Sequence, residues 1–101
     1  MIDYKTGSTK TQSHVDASLQ LRIYALACRD ALDLGTPERV TLYFTESATR
    51  MSTTRTDADL DAARADILNR TARIRSGDFA ATPSVDTCRW CDYARVCPSK
   101  A

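Results

Sequence analysis

The sequence predicts an α/β fold: a short strand, a long helix, a strand or hairpin and a second helix, followed by an irregular cysteine-rich tail. Three observations carry that expectation. Residues 39–45 alternate apolar and amphipathic side chains with the period of a strand. Two segments, about 15–34 and 57–75, place apolar residues at helical spacing between capping residues and a glycine stop. From Phe79 onward the apolar pattern ends, and closely spaced cysteines take its place.

The totals set the scale. A chain of 101 residues is one small domain or part of one, with 43% hydrophobic and 27% charged residues, as in an ordinary globular protein. Its net charge of +1 gives no global electrostatic pull toward nucleic acid or membrane, so any basic footprint is local. No apolar run approaches the roughly 20 residues of a membrane span, and nothing resembles a signal peptide. The expected location is cytoplasmic, with no membrane partner, and there the four cysteines read as thiols or metal ligands rather than disulfides. The composition divides the chain into a core, residues 1–78, and a metal- or cluster-binding tail, residues 79–101.

Ile2 to Lys5 reads as a short strand closed by the turn residues Thr6 and Gly7. The two-residue period puts Asp3 and Lys5 on one face. A carboxylate beside an ammonium suits metal-assisted attack on a phosphodiester; it equally describes an ion pair on an edge strand. Ser8 to Ser13 is a polar loop. A helix is expected from about Val15 to Leu34, with Ser13 and Asp16 as a capping signal and Gly35 as its stop. Its apolar stripes are Leu19-Ile23-Leu26 and Leu21-Ala25-Cys28-Leu32, leaving Arg22, Arg29 and Asp33 for water. Gln20 and Tyr24, four apart, lie on one face and carry neutral hydrogen-bonding groups suited to positioning a phosphate; alternatively Tyr24 is a core aromatic and Gln20 is exposed.

Arg39 to Thr45 is the clearest strand, with Glu46 to Arg50 as a turn and Met51 to Thr53 as a weak returning strand. The second helix, Asp57 to Arg75, follows a capping signal at Thr56 and Asp59 and stops at Ser76-Gly77. Leu60, Ala63, Ile67, Leu68 and Ile74 form its expected buried stripe. Its arginines are a solvated face or a surface that follows a nucleic-acid backbone.

Phe79 to Ser84 reads as an extended linker into the tail. There Cys88 and Cys91 are two residues apart, Cys97 follows after five more, and Pro98 comes next, a spacing that brings thiolates together around zinc or an iron-sulfur cluster. Coordination would hold a tail that has almost no core of its own. A fourth ligand is not evident: Cys28 is most simply a buried small hydrophobe, and Asp92 and His14 are the other candidates.

Taken together, Ile2 through Gly7, Gln20 through Tyr24, Phe79 with Thr82-Pro83-Ser84, and Cys88, Cys91 and Cys97-Pro98 resemble the C-terminal half of a RecB-type nuclease domain of the PD-(D/E)xK superfamily. The version resembled carries an iron-sulfur staple, as in AddB-like helicase-nuclease subunits and CRISPR-associated exonucleases. That resemblance implies a partial restriction-endonuclease-like core. It implies Asp3 as a ligand of catalytic magnesium or manganese with the Tyr4 carbonyl as a further ligand, Lys5 as the stabiliser of the attacking hydroxide, and Gln20 and Tyr24 beside the scissile phosphate. It also implies Cys88, Cys91 and Cys97 as three cluster ligands.

The family's other metal-binding acid, a histidine or glutamate from an earlier helix, and its first cluster cysteine would all precede Met1. The resemblance therefore implies a fragment of a metal-dependent DNA exonuclease from a DNA repair helicase-nuclease, weak or inactive alone. Its partners would be DNA, single-stranded by preference, and the missing N-terminal half or a helicase subunit. A non-catalytic zinc or iron-sulfur module that binds nucleic acid or another protein is the alternative. An exposed sheet edge would also allow self-association.

Overall fold

Residues 1–101 are described by a computed structural model, in which the chain divides into two units, Met1–Arg70 and Thr71–Ala101. The elements in order are β1 (Ile2–Lys5), α1 (Gln12–Asp16), α2 (Leu19–Asp30), β2 (Val40–Phe44), β3 (Thr49–Thr53), α3 (Asp57–Arg75) and α4 (Val85–Arg89). This is the mixed α/β architecture expected, a three-stranded sheet with helices.

In the first unit β2 is the middle strand. It pairs parallel to β1 and antiparallel to β3, giving the order β1-β2-β3. The parallel partner requires a crossover, which α1 and α2 supply; the antiparallel partner needs only the turn at 45–48. Val40, Leu42 and Phe44 share one face of β2 and are buried, and the core forms where Val15, Leu21, Ala25 and Leu60 meet them, with Leu26 and Met51 packed alongside.

The single long helix expected over 15–34 is instead two helices, beginning earlier and ending earlier. Thr11 caps α1 by accepting the His14 N–H at 3.3 Å, and Ser18 leaves helical geometry to cap α2 by accepting the Leu21 N–H at 3.3 Å. A serine hydroxyl competes with the backbone ladder in this way, and here the new cap lets the chain turn so that Val15 and Leu21 both reach the core. At the other end α2 stops at Asp30, and the left-handed residues Asp33 (φ 53°) and Gly35 (φ 77°) carry the chain away. Leu32, expected on the buried stripe, is therefore 61% exposed.

α3 occupies the residues expected of it. Its start is a reciprocal capping box: the Thr56 N–H donates to Asp59 Oδ2 at 2.8 Å, and the Asp59 N–H to Thr56 Oγ1 at 3.2 Å. Only Leu60 and Ala63 are fully buried, however, Leu60 as the residue of α3 in the core cluster, and Leu68 and Ile74 are exposed. Arg29, expected in water, is largely covered. It clamps the two helices by binding Asp30 at 2.6 Å, Asp61 at 2.9 Å and Asp57 at 3.5 Å.

In the second unit, Gly77 (φ 75°) ends α3. The tail is less irregular than expected, since Ser84 Oγ accepts the Thr87 N–H at 3.0 Å and opens the short helix α4. No helix in the chain is long and apolar enough to cross a membrane.

Candidate functional site

The parity of β1 decides which of its side chains face the helices. Ile2 and Tyr4 point away from them and are 53% and 68% exposed, whereas the side chains of Asp3 and Lys5 are only 20% and 34% exposed. The register explains this placement. Asp3 stands beside Leu42 and Lys5 beside Phe44, so the two charges share the face that the apolar residues of β2 turn toward the helices.

On that face β1 meets the first turns of α2. Lys5 Nζ lies 2.9 Å from Asp3 Oδ2 and donates to Gln20 Oε1 at 2.7 Å. Gln20 Nε2 in turn donates to the Tyr24 hydroxyl at 3.1 Å. The helical spacing of Gln20 and Tyr24 sets one above the other on α2, and the strand period sets Asp3 and Lys5 side by side. A continuous polar chain, Asp3-Lys5-Gln20-Tyr24, results from two local periodicities joined by one hydrogen bond across 15 residues of sequence.

The direction of each bond follows from chemistry. An ammonium has no acceptor, so the amide must turn its oxygen to Lys5 and its nitrogen to Tyr24. The Tyr24 oxygen accepts, which leaves its hydrogen free to donate outward. Lys5 has three N–H groups; one binds Gln20 and one faces Asp3, leaving the third for a ligand.

Asp3 carries the signature of an unfinished site. Its Oδ2 is removed from solvent, and the approach of Lys5 is close but misaligned, so that oxygen lacks a well-formed hydrogen bond. The Lys5 ammonium offsets its charge, and a carboxylate oxygen out of solvent without a well-formed hydrogen bond can take a further cationic partner. The Thr41 and Thr45 N–H groups donate to the carbonyls of Met1 and Lys5. By the alternation of a strand, the Tyr4 carbonyl therefore faces the outer, unpaired edge of β1. The Asp3 carboxylate and the Tyr4 carbonyl are the oxygen groups that β1 could offer a divalent cation, and no group of three or more His, Cys, Asp or Glu side chains gathers around them.

Beyond Lys5, the chain turns at Gly7 (φ 94°) and borders a cavity of about 310 Å³ with Ser8, Lys10 and His14. Lys5 and Gln20 also line it, but Ser8 and Lys10 come from a loop without periodicity that no sequence pattern singles out. His14 was weighed only as a partner for the cysteines; it lines this cavity instead.

In the second unit Cys88, Cys91 and Cys97 border one cavity of about 140 Å³ together with Thr82, Pro83 and Ser99. All are free thiols, and Cys88 Sγ lies 3.5 Å from the Ala101 N–H. Their sulfurs do not close into a preformed ligand set. Asp92 is exposed and not among the residues bordering that cavity, and Cys28 is half-buried on α2 in the other unit.

A family model described as the PD-(D/E)XK nuclease superfamily matches residues 1–98, nearly the whole chain. No curated protein matches the sequence at a significant level.

Proposed function

Because the chain belongs to the PD-(D/E)XK nuclease superfamily, we propose that it serves phosphodiester hydrolysis in DNA as part of a metal-dependent exonuclease of the RecB type, working with the helicase of a DNA repair helicase-nuclease. The observation that carries this reading is the Asp3-Lys5-Gln20-Tyr24 chain, which gathers a half-buried carboxylate, the ammonium paired with it and a phenol with a spare donor around one place.

Asp3 and the Tyr4 carbonyl would hold magnesium or manganese. Bound there, the ion would supply Lewis acidity toward a phosphoryl oxygen and would acidify water. The residues of the chain do the rest. Lys5 opposes the negative charge that grows on the phosphoryl group during attack. Gln20 fixes Lys5 in place and turns the Tyr24 hydroxyl outward. Tyr24 donates to a phosphate oxygen and orients the strand. Both lie on a helix that the core anchors through Leu21 and Ala25, so the donors are set before substrate arrives.

The exonuclease reading is tested by magnesium-dependent release of nucleotides from end-labelled single-stranded DNA by the chain assembled with its helicase-nuclease partner, since the chain alone is expected to be weak or inactive. Asp3→Ala and Lys5→Ala should each abolish release, and manganese binding measured by calorimetry should be lost in Asp3→Ala alone. Degradation that persists in both variants would overturn the assignment.

For the tail, we propose an iron-sulfur cluster, with zinc as the alternative, held by Cys88, Cys91 and Cys97; the support is that all three thiols border one cavity. Iron and sulfide analysis after anaerobic purification distinguishes the two. A tail with zinc and no detectable hydrolysis would favour a nucleic-acid-binding or interaction module. The unpaired outer edge of β1 is where a further strand, from a partner or from a second copy of the chain, would add.

A further inference from the structure

We propose that the cavity bordered by Lys5, Gly7, Ser8, Lys10 and His14 is a phosphate-binding site that seats one backbone phosphate of the strand being cut, next to the scissile group. Its identity as a substrate subsite rests on the nuclease reading above; its affinity for phosphate does not.

Charge is the first support. The whole chain carries 13 acids against 14 lysines and arginines, yet this cavity is bordered by two lysines and a histidine and by no carboxylate. A local excess of this kind is what a nearly neutral protein needs to hold an anion. The second support is that two of the donors are not already engaged. Lys5 is engaged by Asp3 and Gln20, but the Lys10 ammonium and the His14 ring make no hydrogen bond or ion pair within the chain. An ammonium and a ring N–H left open toward one concavity are groups that bind an anion.

The third support is that the loop is held. Gly7 adopts φ 94°, a conformation that side chains rarely take, and this turns the chain after β1. Thr9 Oγ1 then bonds Ser47 Oγ at 2.7 Å, tying the loop to the turn between β2 and β3. Lys10 and His14 therefore both follow an anchored stretch that starts at β1. Because Lys5 belongs to both the polar chain and the cavity wall, a strand whose scissile phosphate meets Lys5 lies next to the cavity that Lys10 and His14 border.

The test is equilibrium binding of a fluorescein-labelled single-stranded oligonucleotide to the full chain without divalent metal, followed by anisotropy over a range of salt. Lys10→Ala and His14→Gln are each expected to weaken binding about tenfold, the size of one charge-assisted contact. Lys10→Ala should also lower the salt slope by about 0.7, the value for one phosphate on a single strand. Lys10→Arg should keep the affinity. Both side chains are exposed and circular dichroism should be unaltered. Unchanged affinity and slope in the Lys10→Ala, His14→Gln double variant would overturn the proposal.

A second arm follows the His14 ring protons by NMR while inorganic phosphate is added. A saturable shift that disappears in Lys10→Ala supports the site even if no preparation hydrolyses DNA, an outcome that would sink the nuclease reading alone. Hydrolysis with wild-type KM in the double variant would instead sink the cavity and spare the nuclease.

Discussion

Lys5 and Gln20 are joined by a 2.7 Å hydrogen bond that ties the end of β1 to the first turn of α2, and through it the ammonium controls where the Tyr24 hydroxyl points. The bond is short and charge-assisted, and it lies at the rim of the core rather than within it, so it adds more to positioning than to folding.

Replacing Gln20 separates these roles. Gln20→Ala should lower kcat for strand degradation about a hundredfold, the scale of a reacting group displaced by an ångström, while the thermal midpoint stays nearly constant because Gln20 is exposed. Gln20→Glu keeps an acceptor for Lys5 but loses the donor to Tyr24, so its kcat should fall between wild type and Gln20→Ala. Steady-state rates with labelled DNA check both. Equal losses in the two variants would show that the orientation of Tyr24 is irrelevant.

The stability of the first unit rests on a small core. Leu60 is fully buried on α3 against the helix-covered face of the sheet, and Leu60→Ala should cost about 2–5 kcal/mol of unfolding free energy through lost burial and an unfilled cavity. Leu68→Ala, at an exposed position of the same helix, should change stability by less than about 0.5 kcal/mol. Urea unfolding followed by circular dichroism measures the contrast.

Acid should loosen the fold only below the ordinary carboxylate range. The Thr56 N–H holds the Asp59 carboxyl below its usual value, the Arg29 guanidinium does so for Asp30, and Gln12 does so for Asp16. A carboxyl with a folded pKa lowered from 3.8 stabilises fully above that value and loses its contribution as pH falls through the lower folded value. Stability should therefore be flat from about pH 7 to 5 and decline below about pH 4. Asp59→Asn should flatten part of that decline, which thermal melts across pH will show.

The cysteine tail makes a prediction of its own. In the metal- or cluster-loaded protein, Cys91→Ser should lower bound metal sharply and open residues 79–101 to protease, because the tail buries no large hydrophobic residue that could hold it without coordination. Metal analysis with timed trypsin digestion gives the answer. Equal digestion of loaded wild type and Cys91→Ser would remove coordination as the reason the tail is ordered.

Much of the architecture could be read directly from residue periodicity. The alternation of Val40, Leu42 and Phe44 identified β2, and the box formed by Thr56 and Asp59 identified the start of α3, since both signals are local and act within a few residues. The break at Ser18 was missed because a serine within an apolar-periodic run fits either a helix interior or a cap, and the choice turns on whether Val15 and Leu21 can both be buried. The clamp around Arg29 was missed for a related reason: two of its acids, Asp57 and Asp61, arrive from a helix far along the chain.

Spacing alone ensured that Asp3 would lie beside Lys5 and Gln20 below Tyr24, since each pair is set by the repeat of its own element. Which side of β1 would be covered, and that Lys5 would meet Gln20, depended on the pairing of Asp3 with Leu42 and Lys5 with Phe44. Local repeats place side chains relative to their own backbone. Burial of the apolar face of β2 is a property of the assembled layers, and it turned a pair of surface charges toward the helix that carries Gln20 and Tyr24.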